Sequence, residues 1–121
     1  MTIREAIDKA DALKPNQFTE EEKMSWLNAL DAQIHEDIIK THRGWDHKEF
    51  KKYESAEDAL IVPFPFEEVY VSFLKMKFDD ENGDTQRYNN SAAMYNAHYD
   101  AFAKDYNKKH LPIGIKHHRI Y

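Results

Sequence analysis

The sequence predicts an all-α protein: a small bundle of about four helices, with an irregular segment between the second and the third. Three observations lead there. Glycine is scarce, with three in 121 residues, and proline numbers four, so the chain has few turn formers and many helix formers such as Ala, Glu and Lys. Apolar residues recur at steps of three and four in separate stretches. Helix-start signals stand at the head of these stretches, and Gly or Pro follows them.

The first helix is TIREAIDKADAL. Thr2 caps it, with Glu5 three residues on completing a capping box. Ile3, Ile7, Ala10 and Leu13 form its apolar stripe, and the residue before Pro15 is biased out of the α region, which ends it. The second helix opens on Thr19 and Glu22, another capping box, with Phe18 at the staple position. Trp26, Leu27, Leu30, Ile34 and Ile38 mark its buried face. His42 and Arg43 suit the negative end of the helix dipole, and Gly44 stands at the expected C-cap.

Residues 45–62 resist assignment. DHKEFKKY reads as a short helix begun by Asp46, and ALIV reads equally as a strand or a core-facing loop. In IVPFPFEEVY, two prolines flank Phe64, and Val62 to Phe66 should be extended and stiff. Such a segment serves either as a plug in the core, the reading favoured here, or as a knob for a partner.

The third helix is PFEEVYVSFLKMKFDDEN, with Pro65 in its first turn and Glu67 and Glu68 at the positive end of the dipole. Phe66, Val69, Tyr70, Phe73, Leu74 and Phe78 give it a wide apolar face, and Asn82-Gly83 stops it. Asp84 or Thr85 caps the fourth helix. Its residues Tyr88, Ala92, Tyr95, Tyr99, Phe102 and Tyr106 are spaced four, three, four, three and four, an a/d-like seam. The tight NGD link makes the third and fourth helices an antiparallel hairpin. The division expected is a single helical-bundle domain, 1–107, and a basic C-terminal tail, 108–121.

The length suits one domain with a core of its own. Without cysteine, disulfides, thiolate catalysis and Cys-based zinc sites are excluded; the absence fits a cytoplasmic protein. MTIREAIDKADALK has no apolar h-region of a signal peptide, and no run reaches the roughly 18 apolar residues of a membrane span. The formal net charge is -5, unlike a general nucleic-acid binder. Charge is uneven, however. Residues 108–121 hold four Lys/Arg and no acid, whereas the other 107 residues hold 13 Lys/Arg against 22 acids. A basic, partly apolar tail suits packing on an acidic surface of a second copy or of a partner; contact with nucleic acid and a disordered end are the alternatives.

No catalytic signature emerges. HEDIIKTH resembles a zincin motif only superficially, because His42 follows His35 by seven residues, where the motif needs four. Seven residues span about 10 Å of helix, too far for two ligands of one zinc. DDENGD fails as a calcium loop, since placing Gly83 at position six puts Phe78 at one and Asn89 at twelve. The serines lack a nucleophile-elbow setting, and there is no P-loop or dinucleotide fingerprint. No enzyme activity, cofactor or metal is expected. The tyrosines of the fourth helix read as core, each hydroxyl seeking a partner at the edge. Asn89, Asn90, Asn96 and Asn107 are poor helix formers, costing a few tenths of a kcal/mol each against Ala, which suggests that some hydrogen-bond a neighbouring helix or subunit.

LIVPFPFEEVYVSFLKMKFDDENGDTQRYNNSAAMYNAHYDAFAKDYN resembles the C-terminal half of small bacteriophage and prophage head–tail connector (neck or adaptor) proteins of Gram-positive bacteria. REAIDKADALKPNQFTEEEKMSWLNALDAQIHEDIIKTH resembles their N-terminal helices. The likeness is one of helices and aromatics, without a catalytic motif, and covers most of the chain. It implies a small α-helical subunit that assembles with its own copies into a ring, usually dodecameric, between portal and tail proteins. The ring would line a channel for passive DNA passage, with no sequence-specific contact and no membrane. It also implies a place in the virion neck. The basic tail departs from this picture. The residues put forward as subunit or partner contacts are Trp45, Phe50, Phe64, Phe66, Asn89, Asn90, Asn96, Lys108, Lys109, Lys116 and Arg119. The competing expectation is a small regulatory or interaction domain that binds a partner helix or peptide through an aromatic groove.

Overall fold

The computed structural model describes residues 1–113, and the expected all-α bundle is what it contains. Four α-helices follow in order: α1 (Ile3–Leu13), α2 (Glu20–Ile34), α3 (Glu68–Glu81) and α4 (Thr85–Lys109). A π-turn, His35–Ile39, extends α2 directly. The only β pairings among the described residues are two isolated antiparallel bridges, Thr2 with Ala59 and His42 with Pro112.

Both capping boxes form as the sequence predicts. The Thr2 and Thr19 hydroxyls accept from the amides of Glu5 and Glu22, and those glutamates accept from the threonine amides in return. Each box satisfies amides that a helix start would otherwise leave open. Phe18, ahead of α2, packs on Trp26 (centroids 5.3 Å) and stacks on Phe78 of α3 (5.8 Å).

α3 is the centre of the bundle and packs on α1, α2 and α4. Its Val69, Tyr70, Leu74 and Phe78 are buried against Ile3, Ile7 and Ala10 of α1 and against Leu27, Leu30 and Ile34 of α2. Removing such side chains from water is the main drive for the fold, at about 1.5–3 kcal/mol each. The stop after α3 is as expected: Asn82 is the C-cap and Gly83 has φ +72°, a conformation that favours glycine. Asp84, rather than Thr85, caps α4, its carboxylate accepting from the Arg87 amide.

Several details differ from the sequence reading. Leu13, placed on the α1 stripe, is 64% exposed at the last residue of its helix. α2 does not run to Gly44: the π-turn intervenes, Lys40 caps it, and Gly44 turns the chain four residues later with φ +89°. α3 starts at Glu68 rather than Pro65. The residues before it, including a cis Phe64–Pro65 peptide, form turns. Residues 45–62 form neither a helix nor a strand. They are a connecting segment whose buried Ala56, Leu60 and Val62 complete the core.

That segment is held by hydrogen bonds at its far end. Ile3 and Arg4 donate their amides to the carbonyls of Asp58 and Ala56, and Leu60 donates to the Met1 carbonyl. Asn28 of α2 takes the Tyr53 amide at 2.7 Å on its side-chain oxygen. A long loop survives in a compact domain only when its buried amides find such partners.

Candidate interaction surface

Four features stand out once the bundle is assembled, and the sequence-predicted contact residues that lie among the described residues fall in three of them. The fourth, a buried carboxylate, the sequence reading passed over.

Asp31 is fully buried in α2. Its Oδ1 accepts from the Tyr70 hydroxyl (2.6 Å), and its Oδ2 accepts from the Tyr53 hydroxyl (2.5 Å) and the Ile61 amide (2.9 Å). The Tyr70 hydroxyl in turn accepts from the Val62 amide at 2.7 Å. One carboxylate thus ties α2, α3 and the connecting segment together. Burial pushes Asp31 above the usual carboxylate range, against the pull of its three donors. Burial and the Asp31 charge push both tyrosine hydroxyls well above their ordinary value, so they act as fixed donors and not as acids. A signal was present in the sequence: Asp31 lies four residues after Leu27 and three before Ile34, in the middle of the buried stripe.

The π-turn carries a second cluster. His35 is buried, and Trp45 and Phe50, both half-buried, pack on its ring with centroids at 5.9 and 6.2 Å. The Lys40 ammonium lies over the Trp45 ring at 5.7 Å, and its Nζ also pairs with Glu36 and Glu49. Trp45 and Phe50 are therefore largely committed to neighbours of their own chain. The Nδ1 of His35 is buried with no hydrogen-bond partner. π-turns inside α-helices are often found at functional sites; here the wider turn places His35 against the connecting segment.

The prolyl segment separates its two phenylalanines. Phe66 is half-buried against Phe102 of α4 (6.3 Å), as a core plug should be. Phe64 is 81% exposed, which corrects the core-plug reading for this residue.

α4 is the last of these features. It lies chiefly on α3, and of its 25 residues only Phe102 is fully buried. Tyr95 packs on Phe73 (5.4 Å) and on Tyr99 (5.9 Å), and Tyr106 on Phe102 (5.8 Å). The predicted seam therefore faces the bundle, but its tyrosines are half-buried and form a wall rather than a core. Asn89, Asn90 and Asn96 are exposed, as are Ala93, Ala97, Ala101, Lys108 and Lys109. Lys108 and Lys109 belong to the last turn of α4, where the dipole favours them, and Lys109 pairs with Asp105 at 3.1 Å. Lys116 and Arg119 lie outside the described residues.

Between α2 and α4 runs a groove of about 420 Å³, floored by Leu30 and Phe73 and walled by Ala29, Gln33, Tyr95, Asn96 and Tyr99. Burial, then the nearby carboxylates of Asp37 and Asp100, push the Tyr99 phenol up. The groove is thus apolar at its base and acidic at one end. Chemically it suits recognition of an apolar segment carrying positive charge. Among the described residues, no three His, Asp or Glu side chains are grouped to hold a metal ion, and no helix is long and apolar enough to cross a membrane.

No protein-family model, no curated protein and no solved structure matches the chain.

Proposed function

We propose that this chain is a non-catalytic structural protein of a phage or prophage neck, forming or joining a ring between portal and tail around the DNA channel. The observation that carries the reading is α4. A 25-residue helix that commits one face to α3 leaves a long outward face on which Asn89, Asn90, Asn96, Ala93, Ala97 and Ala101 alternate with charged residues such as Arg87, Asp100 and Lys104. Such a face lets another helix approach closely, and side-chain amides supply hydrogen bonds across the contact. A ring needs a second, different surface on the same subunit, because its contacts are head-to-tail, and the exposed Phe64 offers an anchor for one. The resemblance of the helical and aromatic pattern to head–tail connectors points the same way. The acidic body fits a channel wall along which DNA slides, since like charges repel.

Gene neighbourhood tests this most directly. The expected finding is a reading frame between capsid and tail genes; a position within a metabolic operon sinks the proposal. Assembly on purified portal rings is the biochemical counterpart, with the subunit expected to bind as a layer and Phe64→Ser to weaken it.

A second reading, a small interaction domain that takes a partner helix or peptide, is favoured by the groove between α2 and α4. Its aromatic walls and acidic end fit a basic, apolar peptide.

A further inference from the structure

The groove between α2 and α4 has the form of a slot for one more helix. Both of these helices run antiparallel to α3: Trp26 and Asp31 of α2 meet Phe78 and Tyr70, while Phe66 and Phe73 meet Phe102 and Tyr95 of α4. α2 and α4 are therefore parallel to one another, yet each packs on α3 and they hardly touch each other. The two walls are joined beyond one end, where the His42 ring donates to the Asn107 side-chain oxygen and lies edge-on to Tyr106 at 4.9 Å. Before that junction, Phe73 of α3 is left half-buried in the floor, with Leu30 beside it.

Charge changes sign along the slot. Asp37, one turn past Gln33 on the α2 side, and Asp100, next to Tyr99 on the α4 side, are both exposed, and both carboxylates act on the Tyr99 phenol. Toward the other end, one turn back from Leu30 and one turn on from Phe73, the Lys77 ammonium lies over the Trp26 ring at 5.4 Å. The residues lining the groove between these ends carry no charge. Trp26 to Asp37 spans 11 residues, about 16 Å or three helical turns.

We propose that this slot takes an amphipathic helix of about three turns from a partner protein, its apolar stripe on Leu30 and Phe73, its basic end at Asp37 and Asp100 and its acidic end at Lys77. The inference rests on the interaction-domain reading above and adds the shape, length and charge order of the partner. A helix satisfies its own backbone groups, so it can lie on an apolar floor where an extended peptide would leave amides unpaired. Opposite charges at the two ends set its direction and reject partners of the wrong order.

The probe is a synthetic amphipathic helix of about 14 residues, roughly four turns, with Leu and Ala on one face, a pair of Lys at one end and a pair of Glu at the other. Titrated into the full-length ¹⁵N-labelled protein, it should shift the amides of Ala29, Gln33, Phe73, Asn96 and Tyr99 to saturation. A nitroxide on the lysine end of the peptide should broaden Asp37 and Asp100, and one on the glutamate end Trp26 and Lys77. Asp37→Lys with Asp100→Lys, both at exposed positions, should leave the thermal melt nearly unchanged and weaken binding about tenfold. A peptide that fills the groove with undiminished affinity in the double variant, or with no preferred direction, overturns this proposal and leaves the interaction-domain reading standing. Absence of saturable shifts at the groove overturns both. If the same amides shift with the concentration of the protein alone, a second copy fills the slot and the proposal fails.

Discussion

Asp31 and Asp79 are both buried carboxylates, and their surroundings move them in opposite directions. Asp31 has only neutral donors around it, and burial wins, holding it above the usual range. Asp79 is also pushed up by burial. The Lys14 ammonium at 2.8 Å and the Ser91 hydroxyl at 2.6 Å outweigh that push, so it lies below the usual range. The linkage signs follow. The contribution of Asp31 is full below the ordinary carboxylate value and falls as pH rises through its raised one. The contribution of Asp79 is full above the ordinary value and is lost as pH falls through its lowered one. Urea unfolding of Asp31→Asn and Asp79→Asn should show each variant less stable than the native chain, by on the order of 1–3 kcal/mol. Above about pH 4, the gap for Asp31→Asn should narrow with rising pH while that for Asp79→Asn stays level; below about pH 4, the gap for Asp79→Asn should shrink as pH falls while that for Asp31→Asn stays level. Gaps that move together would contradict the assignment. Neither role was legible in the sequence as chemistry. An acid on a buried stripe can be seen there, but the Tyr53, Tyr70 and Lys14 that decide its state come from distant positions brought close by the fold.

Helices were legible because their signals are local. Capping boxes at Thr2 and Thr19, the Asn82-Gly83 stop and the seam of α4 all depend on residues within one or two turns, and all form. The π-turn stayed hidden because Ile34 and Ile38 both remain buried through it; the apolar spacing is kept while the hydrogen bonding changes. The facing of α4 can be tested directly. Tyr95→Ala removes a half-buried ring that touches Phe73 and Tyr99, and should cost about 2–3 kcal/mol. Asn96→Ala, at the exposed neighbour, should be neutral or stabilise by a few tenths of a kcal/mol, because Ala is the better helix former. Thermal melts in the opposite order would mean the helix is turned the other way. The α3–α4 link makes a sharper demand. A Cβ on Gly83 would meet nothing within 4 Å, yet φ there is +72°, so Gly83→Ala should cost about 1 kcal/mol through backbone strain alone.

At the scale of the whole molecule, the bundle depends on a segment that is not helical. Residues 45–62 could not be assigned from sequence because no periodicity governs them: their conformation is set by what they touch. The touching is uneven. From Tyr53 onward, amides are taken by Asn28, Asp58, Met1, Asp31 and the Tyr70 hydroxyl, while Ala56, Leu60 and Val62 sit in the core. Before it, Asp46 to Glu49 are exposed, and His47 is held at φ +62°, an uncommon conformation for a residue with a side chain. Amide hydrogen exchange reads this difference, since protection tracks the free energy needed to open each site. The Tyr53, Leu60, Ile61 and Val62 amides should exchange as slowly as those in the middle of α3, opening only with the bundle. The amides of His47 and Glu49 should exchange orders of magnitude faster, through local opening. Substituting Asp31 should then accelerate Ile61 and Val62 together with α2 and α3, because one carboxylate joins all three. If Ile61 and Val62 instead exchange at the rate of His47 in the native chain, the segment is a loose connection and Asp31 is not the tie that holds it.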